Sequence, residues 1–173
     1  MKVASSKRLI IFSGSANEPL AEDVAEILGV KLGAVELSSF ANGEIYVRYK
    51  KSVRGADCFV IQSHSSPVNH HIMEQLIMID ALQRASAKRI TAVVRFFGYA
   101  RQDKKVRARE PITARLLADM FLAAGADRIV SVDLHTGQIQ GFTSKPFDHL
   151  TALHGFADYL TGTLSGPSVI VSP

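Results

Sequence analysis

At 173 residues, with 47% hydrophobic and 21% charged side chains, the chain has the length and apolar content for one domain with a substantial core, and disorder is not the default reading. Its net charge of +4 favours anionic partners without singling out nucleic acid. The one cysteine, Cys58, excludes an internal disulfide, suits a reducing compartment and reads as a small core residue.

Short apolar runs predict strands at residues 9–13, 34–38, 57–62, 90–96, 128–132 and 168–171. Several are apolar throughout, as strands covered on both faces are. Residues 45–49 alternate and read as a small antiparallel flap. Asn17 is placed to cap a first helix carrying Leu20, Val24 and Ile27, with Glu22 and Asp23 near its positive end. Asn69 is expected to cap a second helix that runs to about Ala85. Pro111 and Thr113 open a third, which Gly125 closes, and a weaker helix follows over 153–160. This alternation predicts an α/β fold, a doubly wound parallel sheet flanked by helices, as a single domain over 1–173. The second helix is apolar on two rows, Ile72, Leu76 and Ile79 on one and Met73 and Ile77 on the other. The extra row is either deep core or a contact with another subunit. The polar N-terminus has no signal-peptide stretch and no apolar run reaches transmembrane length, so no membrane association and a cytoplasmic location are expected.

In open parallel sheets, ligands bind beyond the carboxyl ends of the strands. Polar residues and glycines concentrate there, at 40–44, 63–67, 97–110 and from Asp133 onward. Between residues 95 and 115 lie seven cations, Arg95, Arg101, Lys104, Lys105, Arg107, Arg109 and Arg115, against two acids, Asp103 and Glu110. Guanidinium groups grip phosphate oxygens in a planar fork, and Phe97 and Tyr99 offer flat faces to a base. A solvated loop with some nucleic-acid affinity is the other reading. In Phe40-Ala41-Asn42-Gly43-Glu44, the ring can stack on a purine and Asn42 and Glu44 can bond its edge or a ribose; a simple Asn-Gly turn explains the same letters. Asp133-Leu134-His135 makes no closed metal site by itself, and spacing alone favours a structural histidine. His70 and His71 read as a surface pair. There is no Gly-x-x-x-x-Gly-Lys-Ser/Thr loop and no Gly-x-Gly-x-x-Gly fingerprint.

Taken together, the segments resemble the amino-terminal half of ribose-phosphate diphosphokinase (phosphoribosyl pyrophosphate synthetase). The resemblance rests on the stretches at 40–44, 52–55, 73–82, 98–105, 109–116 and 132–142, which keep the family's order. Tyr-Ala-Arg-Gln-Asp at 99–103 and Asp-Leu-His followed by Gln-Ile-Gln-Gly-Phe are the most specific. It implies transfer of the diphosphoryl group of Mg·ATP to the 1-hydroxyl of ribose 5-phosphate. By position, Phe40, Asn42, Gly43 and Glu44 would serve adenine and its ribose. Arg101, Gln102 and Asp103 would serve the ATP phosphates, and His135 would ligate Mg²⁺. Homo-oligomers, often hexamers, are implied as well.

Family members are about twice this long. Their second domain carries the ribose-phosphate loop (Asp-Asp-x-x-x-Thr-Gly type) and a mobile catalytic loop, and neither occurs in residues 1–173. The chain is therefore expected to hold no catalytic residue and to bind ATP without turnover. The family's residue after the position of Pro173 is an Asp of the metal site. Two departures stand out: Arg95 in place of the usual Pro, and Thr143-Ser144 after Phe142 in place of Phe-Asp. A non-catalytic regulatory partner of the synthetase and a nucleic-acid-binding domain are the alternatives, although no recognition helix or aromatic array supports the second.

Overall fold

The structure is a computed structural model that describes residues 8–169 and 171. Strand β1 (Leu9–Ser13) leads into α1 (Glu18–Ile27), followed by the hairpin β2 (Val35–Ser39) and β3 (Ile45–Tyr49). Next come β4 (Asp57–Gln62), α2 (Val68–Arg84), β5 (Arg89–Val94), α3 (Thr113–Ala124) and β6 (Arg128–Val132). A 3-10 turn (Gly137–Phe142), β7 (Phe147–Leu150) and α4 (Leu153–Thr163) complete the described chain. The main sheet is parallel throughout, in the order β1-β4-β5-β6-β7.

Alternation along each strand divides the sheet's faces. Phe12, Cys58, Val60, Ile90, Val94 and Ile129 point to the face covered by α2 and α3, where Met78, Ile79, Leu82 and Phe121 complete the core. Ile11 and Ile61 point the other way, to Ala21 and Ala25 of α1. α1 covers that face only in part, leaving a cavity of about 380 Å³ lined by Leu9, Phe59, Val93, Val132 and Leu150. Cys58 is the buried core residue expected, its thiol pushed up to about 11 chiefly by burial. Among the described residues no helix is long and apolar enough to cross a membrane.

The helix ends follow local chemistry. Asn17 Oδ1 accepts the Leu20 amide at 3.3 Å, capping α1 as expected. Gly125 closes α3 at φ 113°, where a side chain would be strained and would also strike Gln83. α2 departs from expectation. It starts at Val68 behind Pro67, two residues earlier than an Asn69 cap implies, and Asn69 caps nothing: its side chain accepts the Tyr99 hydroxyl instead.

Three strand expectations change. The segment near 34–38 does not join the parallel sheet but pairs only with β3, so the flap has two strands and both alternate. Tyr49 ties it to α2 by donating to the Met78 carbonyl at 2.9 Å. β7 was not foreseen; it has four residues, two of them polar, Asp148 and His149, and so gives little apolar signal. Of the strand expected at 168–171, Ile170 lies outside the described residues, and Ser168, Val169 and Val171 belong to no strand.

One buried group makes this fold pH-dependent. His64 is 0% exposed, and burial lowers its imidazole from an ordinary 6.5 to about 4, against the raising effect of its bond to Gln75. Between those values the unfolded chain binds a proton that the folded chain refuses, so stability falls as the pH drops from about 7 towards 4. At 1.36 kcal/mol per unit the full loss is on the order of 3 kcal/mol. Urea unfolding across this range is expected to show a steeper loss for the wild type than for His64→Asn, which does not titrate. Equal slopes would contradict the assignment.

Candidate functional site

All five strands of the main sheet end on one edge, and the loops that follow β5 and β6 form a cleft there. It measures about 500 Å³ and is lined by Phe96, Phe97, Tyr99, Ala100, Arg101 and Gln102 on one wall and by residues 132–135 on the other. The structure therefore brings Arg101 and Gln102 to one space with His135, more than thirty residues further along the sequence. All three are exposed.

The charge balance of the β5 loop is more one-sided than its composition. Neither acid in the run neutralises a cation. Glu110 accepts the backbone amides of Val106 and Arg107, each at 2.8 Å, which holds its carboxyl below the usual range. Asp103, only 4% exposed, turns inward and accepts Thr136 Oγ1 at 2.6 Å and Gln138 Nε2 at 2.9 Å. The Thr136 hydroxyl is the main cause of its lowered carboxyl, and the carboxylate ties the β5 loop to the β6 loop. Asp103 does not line the cleft. Arg115 is spent on Asp119 at 2.9 Å, whereas Arg101, Lys104, Lys105, Arg107 and Arg109 are exposed and make no ion pair among the described residues. The loop thus presents unneutralised cations beside a cleft.

Backbone strain collects at the same place. Tyr99 has φ 60° and Asp133 φ 48°, and both line the cleft. Such conformations cost roughly 1–3 kcal/mol each and persist only where surrounding contacts impose them. At Tyr99 the contact is the bond from its hydroxyl to Asn69 Oδ1 at 2.5 Å; at Asp133 the carboxylate accepts the Ala152 amide at 3.2 Å. Gln102 is fastened by its own side chain, which accepts the Thr113 hydroxyl at 2.5 Å, and by its carbonyl, which accepts the Ala114 amide.

The flap residues lie elsewhere. Phe40, Gly43 and Glu44 line a second cavity of about 630 Å³ with Asn69, His70, Met73 and Ile77 of α2. Phe40 is 57% exposed, and the turn is held by Asn42 Oδ1, which accepts the Glu44 amide at 3.1 Å, and by Gly43 at φ 89°. Asn42 lines neither cavity. Within one chain the adenine and phosphate residues implied by the resemblance occupy two cavities, linked by the Asn69–Tyr99 bond.

His71 corrects the expectation of a surface pair. It is buried, with Nδ1 2.8 Å from the Ser65 carbonyl, because that side of α2 packs inward; His70 is half-buried, 3.8 Å from Glu74. Sequence reasoning also missed His64 and His149, whose rings accept the Gly98 and Leu134 amides of the two loops. Among the described residues no three His, Cys, Asp or Glu come together as a metal site. Mg²⁺ prefers oxygen ligands, so this donor set fits an ion that arrives on a phosphate chain and not one caged by protein.

Residues 9–125 match the family described as the N-terminal domain of ribose phosphate pyrophosphokinase. The chain belongs to the ribose phosphate pyrophosphokinase family. The ribose-phosphate pyrophosphokinase of Streptomyces coelicolor is 58% identical over 174 residues, covering all of this chain and 54% of that protein. That of Mycobacterium tuberculosis is 56% identical over 168 residues, covering 96% and 52%. A crystal structure of phosphoribosylpyrophosphate synthetase from Mycobacterium smegmatis superposes with a TM-score of 0.89 at 58% identity, covering 91% of this chain and 53% of that one. The chain spans about half the length of the relatives it matches.

Of the departures from the family pattern, Arg95 lines the apolar cavity on the α1 face and not the cleft that Arg101 lines. The Thr143 hydroxyl donates to the Lys145 carbonyl, closing the turn before β7. Nothing in the structure accounts for Ser144.

Proposed function

We propose that this chain is the nucleotide-binding half of a ribose-phosphate diphosphokinase. The single observation that carries the reading is the cleft between the β5 and β6 loops, where Arg101, Gln102 and His135 converge while Asp103 and Glu110 are occupied internally. In the reaction, the 1-hydroxyl oxygen of ribose 5-phosphate attacks the β-phosphorus of ATP, the bond to the α-phosphate oxygen breaks, and AMP leaves with 5-phosphoribosyl 1-diphosphate as the other product. Chemistry of this kind depends mostly on positioning and charge stabilisation, which suits a site made of fixed cations.

Arg101 grips phosphate oxygens through its fork, and the Gln102 amide, whose oxygen is engaged by Thr113, donates to them. Mg²⁺ enters as part of the substrate, and His135 is the group of this cleft that would ligate it. Phe40 and Glu44, with Asn42 shaping their turn, take adenine and ribose. Asp103 acts in this reading as a strut, not as a ligand. Ribose 5-phosphate is held by groups in the part of the relatives that this chain does not span, so the chain alone binds Mg·ATP without turnover. The exposed row of α2, with Met73 47% exposed beside Ile77, Ile45 and Phe40, supports self-association of the chain.

A charge-assisted hydrogen bond contributes roughly 1.5–3 kcal/mol, so Arg101→Ala is expected to weaken Mg·ATP binding on the order of tenfold to a hundredfold by calorimetry. Equal affinities would remove Arg101 from the site. Light scattering is expected to find a dimer or larger assembly, and a monomer at every concentration would overturn self-association.

A further inference from the structure

The two walls of the cleft are each fastened from outside by a histidine. The β5 loop is held by His64, two residues past β4: its Nδ1 lies 3.0 Å from the Gly98 amide. The β6 loop is held by His149 of β7, whose Nε2 lies 3.0 Å from the Leu134 amide. In the strand order β4-β5-β6-β7, the cleft falls between the two inner strands and the anchors come from the two outer ones.

Hydrogen-bond logic sets the state of both rings. A backbone N–H can only donate, so the ring nitrogen facing it must be bare. Opposite Gly98, His64 Nε2 lies 2.9 Å from Gln75 Oε1. The Gln75 amide nitrogen is committed to the carbonyls of Val60 at 2.9 Å and Val93 at 3.4 Å, which turns its oxygen to His64. His64 is therefore neutral with its proton on Nε2. His149 accepts through Nε2, so its proton sits on Nδ1. The His64 ring is clamped further by stacking on Phe121 at 5.7 Å and 6°. Gly98 is close enough that an added Cβ would sit 3.1 Å from the His64 Cβ and 3.1 Å from Ile72. The wall has no room to shift inward.

We infer that His64 and His149 are positioning residues for the phosphate cleft, neutral acceptors that hold the β5 and β6 loops at the separation a phosphate chain requires. Neither lines the cleft, so both act through the backbone of residues beside Tyr99 and His135. The inference rests on the nucleotide reading for its consequence and on the two hydrogen bonds for its geometry.

The test uses the whole 1–173 chain. Nitrogen-15 spectra near neutral pH are expected to show His64 protonated at Nε2 and His149 at Nδ1; the opposite tautomer at either ring would overturn the inference, whether or not any variant folds. His149→Leu, which removes the acceptor, is expected to speed exchange of the Leu134 amide at least tenfold and to weaken Mg·ATP about tenfold. His149→Gln, whose side-chain oxygen can reach the same amide, is expected to restore most of both. Wild-type affinity in His149→Leu, unchanged Leu134 exchange, or no rescue by glutamine would each overturn it. A wild-type chain without measurable Mg·ATP affinity would overturn the nucleotide reading instead, and the tautomers and the exchange rates would then decide this one.

Discussion

Parallel strands must all end on the same edge of their sheet, and every group of the cleft between the β5 and β6 loops hangs from that edge. The crossovers through α2 and α3 return the chain to the far edge each time, so the polar residues left over accumulate at one end of β4, β5 and β6. Arg101 and His135 meet because β5 and β6 are neighbours, in register from Thr91↔Arg128 to Val94↔Ser131. The strands themselves contribute none of the chemistry. They set where two loops start, and internal hydrogen bonds from Asn69, Asp103, His64 and His149 set where those loops go.

Electrostatics follows from the same arrangement. A loop with this many cations would ordinarily fold its acids against them. Here Glu110 braces backbone amides and Asp103 braces the facing loop, so the acids shape the site while the cations stay available. Left-handed backbone at Tyr99 and Asp133 is part of that bracing, since each is held by a specific hydrogen bond and not by a glycine's freedom. The loops are therefore fixed by contacts within the chain, the kind of prior positioning that the proposed reaction would draw on.

Legibility in the sequence divided along physical lines. Continuous apolar runs, such as β1 and β4, could be placed to the residue, and so could caps made by a local side chain, such as Asn17. Elements whose partners are remote could not. β7 is four residues with an adjacent polar pair in the middle, and β2 carries an apolar signal that does not distinguish a parallel sheet from a hairpin. Asn69 has a capping residue's chemistry but is bonded across thirty residues to Tyr99. Arg101, Gln102 and His135 line one cleft at the end of β5 and β6, whereas the separate cavity of Phe40, Gly43 and Glu44, the inward turn of Asp103 and the histidine contacts to both loops depend on three-dimensional contacts that no spacing encodes.

The reading as a nucleotide half-site is tested most directly by AMP release from Mg·ATP in the presence of ribose 5-phosphate. Two proteins are compared: the 1–173 chain alone, and the same chain fused to the C-terminal half of the Streptomyces coelicolor relative. The expected result is no release above the uncatalysed rate from the first and ribose 5-phosphate-dependent release from the second, lost again in its Arg101→Ala variant. Turnover by the 1–173 chain alone, or an active fusion indifferent to Arg101, would contradict the account.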